Sequence, residues 1–489
     1  MSFSKLFLIY TISLIYLSYF SNCHFVFPFD TIFIKDKTIN DTDYFTNLTQ
    51  NELYINFSIG AKEENIKAIL KMDKYGFLIY ENAYNYGEST TYEIFYPDVD
   101  ENIETVWVRG EQIPSKDILY LPSLINNKYE IIKTNKTKFL RVKQEKDINY
   151  FNEMFYTYSI IGLKFNYNPY FQAPEFVKSL KASKDINNET FYLTFEKDSK
   201  NGFATNNNKG KFFVGKLLHK DKTIYSESIN YGGELFWGLN FDHIYLKNKN
   251  DKKEIENIKT KAEIIATYPY LKAPKEFFNY IEESFFNTLI TNNLCYKINF
   301  MRHDISLNHN YYSFACNSES KDFMEYLNNN FPDIIFEHIK FKEQFILTKN
   351  DLFAFNTFND KDKYLYFLIV SGDDLTDWIL GTPFLKKYVI SYNYDSKLVG
   401  YYADYGKPEN EEEEKSSFLS IFLKVVLIIA LVVVIFILGM LFQKIYKRTR
   451  KKKANELDDE FEYEPQKDNK DDKKENIDDE KKESLGINE

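Results

Sequence analysis

The chain has 489 residues, with 62 Lys and Arg against 72 Asp and Glu, a net charge of −10 and a hydrophobic share of 44%. That apolar content supports a packed interior, and only 17 Gly and 12 Pro exclude collagen-like and Gly/Ser-linker classes. An acidic balance without a basic stripe on the main body excludes a nucleic-acid binder. The 45 Phe and 39 Tyr accompany abundant Ile and Asn, the pattern that codon bias from an AT-rich genome produces, so aromatic clusters alone mark no site.

At the start, Lys5 precedes an apolar run from Leu6 to Phe20, followed by Ser21 and Asn22. Residues 1–23 read as a secretory signal peptide, with an N-terminal membrane anchor as the alternative, and Cys23 lies at the expected cleavage site. Sequons follow at Asn40, Asn47, Asn56, Asn135 and Asn188, each a glycosylation candidate.

From about residue 45 to 405 short alternating runs are broken by Asn, Asp, Lys and Gly. Leu53–Ile59, Phe191–Phe195, Lys211–Val214 and Trp237–Leu246 are examples, and together they predict a large, mainly β domain. The clearest helix is predicted over Pro274–Ile290, with Pro at its start. Cys295 and Cys316 are the two cysteines left in the mature ectodomain, and in an oxidising compartment they read as one disulfide. Two thiols and six scattered histidines lack zinc-ligand spacing, so no metal site is expected, and no cofactor. HExxH, GxSxG and phosphate-cradling Gly loops are absent from the sequence. Asp373 and Asp374 read as turn residues before the Trp378 strand.

The stretch Phe418–Phe442 holds 18 uncharged residues from Val425 onward and is long enough to span a bilayer. Glu411–Glu414 precede it and seven Lys and Arg between Lys444 and Lys453 follow, which marks the following side as cytoplasmic. Residues 443–489 carry 13 basic and 15 acidic side chains among 47 and read as a disordered cytoplasmic tail.

The order of motifs resembles the pepsin-like aspartic proteases. Leu53–Gly60 resembles that family's first strand pair, and Leu78–Tyr80 the strand after its first catalytic turn. Arg109–Leu121, with Asp117, resembles the flap hairpin and its exit strand. Ile160–Leu163 (IIGL) resembles the apolar-apolar-Gly motif of the N-terminal lobe. Phe212–Gly215 and Phe236–Leu246 resemble the crossover into the second lobe, and Cys295 and Cys316 sit where that lobe commonly carries a disulfide. Trp378–Tyr388 (WILGTPFLKKY), then Tyr394–Asp395 and Val399–Gly400, is the most specific of these matches. The resemblance spans about 350 residues and implies an all-β, bilobal pepsin-like acid protease fold, with an N-terminal β lobe at 45–195 and a C-terminal β lobe at 196–405. The apolar stretch adds one C-terminal transmembrane helix at 418–442.

In the resembled family each lobe supplies one Asp from an Asp-Thr/Ser-Gly turn. The two share a proton, one carboxylate activating water while the other polarises the scissile carbonyl. Here the first turn falls in ILKMDKYGFL, which places Met72 at the catalytic position, or Asp73 after a one-residue shift. The second falls in IIATYPYLKAP, which places Ile265 there, or Ala266 after one deletion. Glu263 is the nearest acid and stands out of frame, and the flap tyrosine expected near Thr105–Trp107 is missing.

The resulting expectation is a catalytically inactive, single-pass type I membrane pseudoprotease of the cell surface or secretory pathway. Its ectodomain would be lumenal or extracellular and would bind a protein or peptide whose identity the residues do not encode. An active aspartic-type endopeptidase with a divergent site is one alternative, and it requires a second carboxylate facing Asp73. A structural or adhesive surface protein is the other.

Overall fold

The computed structural model describes residues 24–33, 44–49, 51–95, 111–125, 128–143, 158–165, 173–197, 199–200, 202–205, 208–219, 221–231, 234–248, 251–255, 260–303, 308–356, 363–372, 377–405 and 437–449. Residues 1–405 form one compact unit and residues 406–489 another. The first unit is mostly β, with short helices, and most of its described strands lie in two large sheets of thirteen and eleven strands, the rest in smaller sheets of four and two.

The first sheet runs through thirteen strands of the described residues and gathers every described strand from Phe25–Phe33 to Thr190–Phe195. Strand Phe25–Phe33 lies inside it, between Gly210–Val214 and Asn51–Ile59. The β pattern therefore begins well before residue 45, where the alternating runs of the sequence set it. The last strands of the unit, Ile390–Asn393 and Leu398–Tyr401, return to this same sheet, the first of them pairing with Thr190–Phe195. The second sheet holds Lys261–Ile264, the hairpin Cys295–His303/Asn308–Asn317, Tyr364–Phe367, Ile369–Gly372 and Trp378–Leu380.

Alternation decides which side chains meet. In the central strands Phe25, Phe27, Phe191, Leu193, Phe212 and Val214 enter the main core, while Val26, Tyr192 and Phe213 form a separate cluster on the opposite face. The predicted helix is present as Lys275–Ile281, a π-turn Glu282–Phe286 and Asn287–Thr291, with Pro274 at the N-cap. Cys295 and Cys316 are bonded and are direct cross-strand partners, so the disulfide ties the open end of its hairpin.

Each half contains the same unit: two strands joined by a turn, both paired to a third strand lying between them. In the first half Glu64–Lys71 pairs parallel, and Phe77–Tyr80 antiparallel, to Ser159–Gly162. In the second, Lys261–Ile264 pairs parallel, and Leu271–Lys272 antiparallel, to Trp378–Leu380. The two middle strands are those that carry the IIGL and WILG motifs.

Candidate functional site

The glycines of these motifs are fixed by close approach. A Cβ on Gly162 would lie 2.5 Å from the Tyr75 carbonyl carbon, and one on Gly381 would lie 2.2 Å from the carbonyl oxygens of both Tyr268 and Tyr270. Each turn thus rests directly on the backbone of its own middle strand. The first turn is held by Leu163 N–H donating to Lys71 O (2.7 Å) and Lys164 N–H to Lys74 O (2.9 Å). In the second, Ile265 N–H donates to Leu380 O (3.0 Å) and Thr382 N–H to Tyr268 O (2.7 Å).

Register makes the two turns comparable residue by residue. Leu70 faces Ile161 and Lys71 faces Gly162, while Ile264 faces Leu380, which precedes Gly381. Lys71 is therefore equivalent to Ile265, Met72 to Ala266, Asp73 to Thr267 and Lys74 to Tyr268. No equivalent pair has a carboxylate on both sides. The turns meet at Met72 and Ala266: the Ala266 amide donates to the Met72 Sδ at 3.2 Å, and both residues are buried. A thioether accepting one amide hydrogen can brace two backbones, but it neither gives nor takes a proton.

Around this contact the side chains are packed or paired. The Lys71 ammonium forms a partly buried ion pair with Glu52. Tyr268 and Tyr270 are buried, and Tyr270 packs edge-on against Phe45 and Phe300. The Lys272 ammonium is buried as well, donates to Tyr311 Oη at 2.9 Å and lies 4.4 Å from the centre of the Tyr268 ring. Trp237 Nε1 and Tyr394 Oη both donate to the Leu163 carbonyl, at 2.6 and 2.7 Å, which ties two distant segments of the chain to the residue that follows the first turn's middle strand.

A carboxylate that stands out of frame in the sequence lies beside the second turn. Glu263 is half-buried, and its pKa is raised to about 7. Burial is the main cause; Asp377 and Asp73 push in the same direction, and Lys164 and Lys272 pull against them. Asp377 reaches Glu263 because their strands are parallel neighbours, with Glu263 opposite Ile379. Residues 373–376, and with them Asp373 and Asp374, lie outside the described residues, as does the flap segment 96–110.

Asp117, which the family resemblance places after the flap, is fully buried and saturated with donors. Tyr84 Oη and Thr91 Oγ1 donate to it, as do Ser89 Oγ at 2.9 Å and the Ile118 amide at 2.7 Å. It organises the base of the strand and makes no contact with either turn in these bonds. Of the sequons, Asn40 lies outside the described residues and Asn47 is half-buried in helix Tyr44–Thr49. Asn56 is exposed on strand Asn51–Ile59. Asn135 Nδ2 donates to Ser183 O at 2.8 Å, and Asn188 Nδ2 to Gly215 O at 3.3 Å. Among the described residues no group of His, Cys, Asp and Glu could hold a metal ion.

No family model and no curated protein matches the chain. Among solved structures it is similar to conglutin gamma, a basic 7S globulin from lupine seeds, with a TM-score of 0.48 at 13% identity, over 78% of this chain and 95% of that one. It is also similar to the basic 7S globulin from soybean, with a TM-score of 0.49 at 9% identity, over 78% and 96%.

Among the described residues no helix is long and apolar enough to cross a membrane. Residues 437–449 are helical, while 1–23, 406–436 and 450–489, which hold the expected signal peptide, most of the expected span and most of the tail, lie outside the described residues.

Proposed function

We propose that this protein is a non-proteolytic member of the pepsin-like fold, anchored in a membrane by Phe418–Phe442, that binds a protein or extended peptide without cutting it. The observation that carries the reading is the absence of a carboxylate pair in every frame of the two equivalent turns, with Met72 and Ala266 in contact where a shared proton would have to reside. Acid–base hydrolysis of a peptide needs two groups in different protonation states at that point. An extended ligand, in contrast, is held by main-chain pairing and side-chain pockets and needs no such pair. Asn56, exposed on its strand, is the glycan site that best suits an extracellular or lumenal face.

The test uses the full chain in detergent with a library of extended peptides, followed by mass spectrometry of what is retained. Retained peptides of full length support the reading, and retained fragments or no retention contradict it. The anchor is scored separately: a chain that stays in membranes under alkaline carbonate, with its tail open to protease only from the cytoplasmic side, supports it.

One observation favours a second reading, an endopeptidase with a displaced pair. Glu263 is poised near neutral pH and feels the Asp73 carboxylate. The two are not equivalent in the repeat, and cleavage that requires both side chains would establish this reading over the first.

A further inference from the structure

Strand Asn51–Ile59 alternates cleanly: Leu53, Ile55, Phe57 and Ile59 are buried in the main core, while Tyr54, Asn56 and Ser58 share the opposite face. Asn56 is exposed there, and its side-chain amide makes no hydrogen bond among the described residues. Its cross-strand partner is Lys67, also exposed, whose ammonium stands 5.7 Å from the centre of the half-buried Tyr54 ring. That ring therefore turns a face toward the side chains that rise above the sheet beside Asn56. The other described sequons are built differently. The Asn135 amide nitrogen donates both to Ser183 O and to Asp185 Oδ1, at 2.8 and 3.0 Å, so a sugar on that nitrogen would break one of these bonds. Asn188 is half-buried and its amide donates to Gly215 O, and Asn47 is half-buried in a short helix whose Phe45 and Leu48 are core residues.

We infer that Asn56 carries an N-linked glycan whose first sugar lies on the Tyr54 ring. The transfer joins the Asn56 amide nitrogen to C1 of the first sugar of an oligosaccharide held on a lipid diphosphate. The bond from that carbon to the phosphate oxygen breaks, the lipid diphosphate leaves, and the amide releases one proton to solvent. At Asn56 this change costs the fold none of its side-chain hydrogen bonds among the described residues. Residues two apart on a strand stand on one face, about 7 Å from each other, so a sugar attached at Asn56 reaches over Tyr54. The C–H face of a hexose is weakly positive and the face of an aromatic ring negative, so the two attract as they cover apolar surface. Lys67 is an exposed, flexible side chain, and its ammonium gives way to the sugar or donates to its hydroxyls. The inference rests on the extracellular or lumenal reading above.

The test expresses the full chain in eukaryotic cells and treats sealed microsomes with protease to find the side on which its main body lies. Glycans are then released by an amidase in heavy-oxygen water, which leaves a labelled Asp at each Asn that carried one. Asn56 should be labelled in most copies. A lumenal chain with Asn56 unlabelled overturns the inference and leaves the lumenal reading intact, whereas a main body digested from the cytoplasmic side overturns both. The seat on Tyr54 is read from thermal unfolding of the full chain in detergent. Asn56→Gln should lower the midpoint beside Tyr54 or Tyr54→Phe and leave it unchanged beside Tyr54→Thr, a residue that strands accept. An equal shift in all three backgrounds, or no shift in any, overturns the seat on the ring.

Discussion

The Ala266 amide donates to the Met72 sulfur across the meeting point of two equivalent turns, one from each half of the chain. This contact joins the halves by packing and one weak hydrogen bond in place of a proton-sharing acid pair. Met72→Ala should remove the acceptor and leave a cavity between the turns, at a cost of about 2–4 kcal/mol, read as a lower midpoint in denaturant unfolding. Met72→Leu, which keeps the volume, should cost less than about 1.5 kcal/mol.

Gly162 and Gly381 should each refuse a methyl group. Backbone atoms of the opposing turn stand 2.2–2.5 Å from the point a Cβ would occupy in both cases, and backbone cannot move aside as a side-chain tip can. Gly162→Ala and Gly381→Ala should each destabilise by about 3 kcal/mol or more, while Ala at Gly202, where nothing lies within 4 Å but φ is +84°, should cost only about 1 kcal/mol. Thermal unfolding of the three variants compares them directly.

Glu263 gives the stability a pH dependence of known sign. Its folded pKa, about 7, lies above the ordinary 4.5, so the folded chain keeps a proton that the unfolded chain releases. Stability from this group is fully present below about pH 4.5, falls as pH rises to 7, and is lost above that. Glu263→Gln should therefore match the wild type near pH 4.5 and exceed it at pH 8, by roughly 1–3 kcal/mol after allowing for its partial exposure. Melting temperatures at the two pH values decide it.

The disulfide joins residues 21 apart in sequence at the open end of a hairpin. Changing both Cys295 and Cys316 to Ala should cost about 3 kcal/mol on the chain-entropy account, with strand pairing otherwise kept. Unfolding of the double variant beside the reduced wild type measures the bond's contribution.

Much of the scaffold was legible because its local signals are strong. The alternating runs at Leu53–Ile59 and Phe191–Phe195 lie inside strands Asn51–Ile59 and Thr190–Phe195, and Pro274 does open a helical stretch. The motif glycines were legible as a pattern, though not as the close approaches that require them. Trp237–Leu246 reads as one run but is two strands, Gly238–Asn240 and His243–Asn248, because the chain turns at Phe241 and Asp242 to enter another sheet. Helix Tyr44–Thr49 is too short to show a period, and its stability comes from Phe45 stacking on Phe300 far along the chain. The proximity of Glu263 and Asp377 was hidden for the same reason: a parallel pairing between strands so far apart in sequence leaves no trace in local spacing.

The most direct measurement of the central claim is cleavage of a peptide library by the full chain from acidic to neutral pH, beside Asp73→Asn and Glu263→Gln. The absence of a carboxylate pair at equivalent positions predicts no cleavage by any of the three. Cleavage by the wild type that disappears in both variants would contradict it and make Asp73 and Glu263 the working pair.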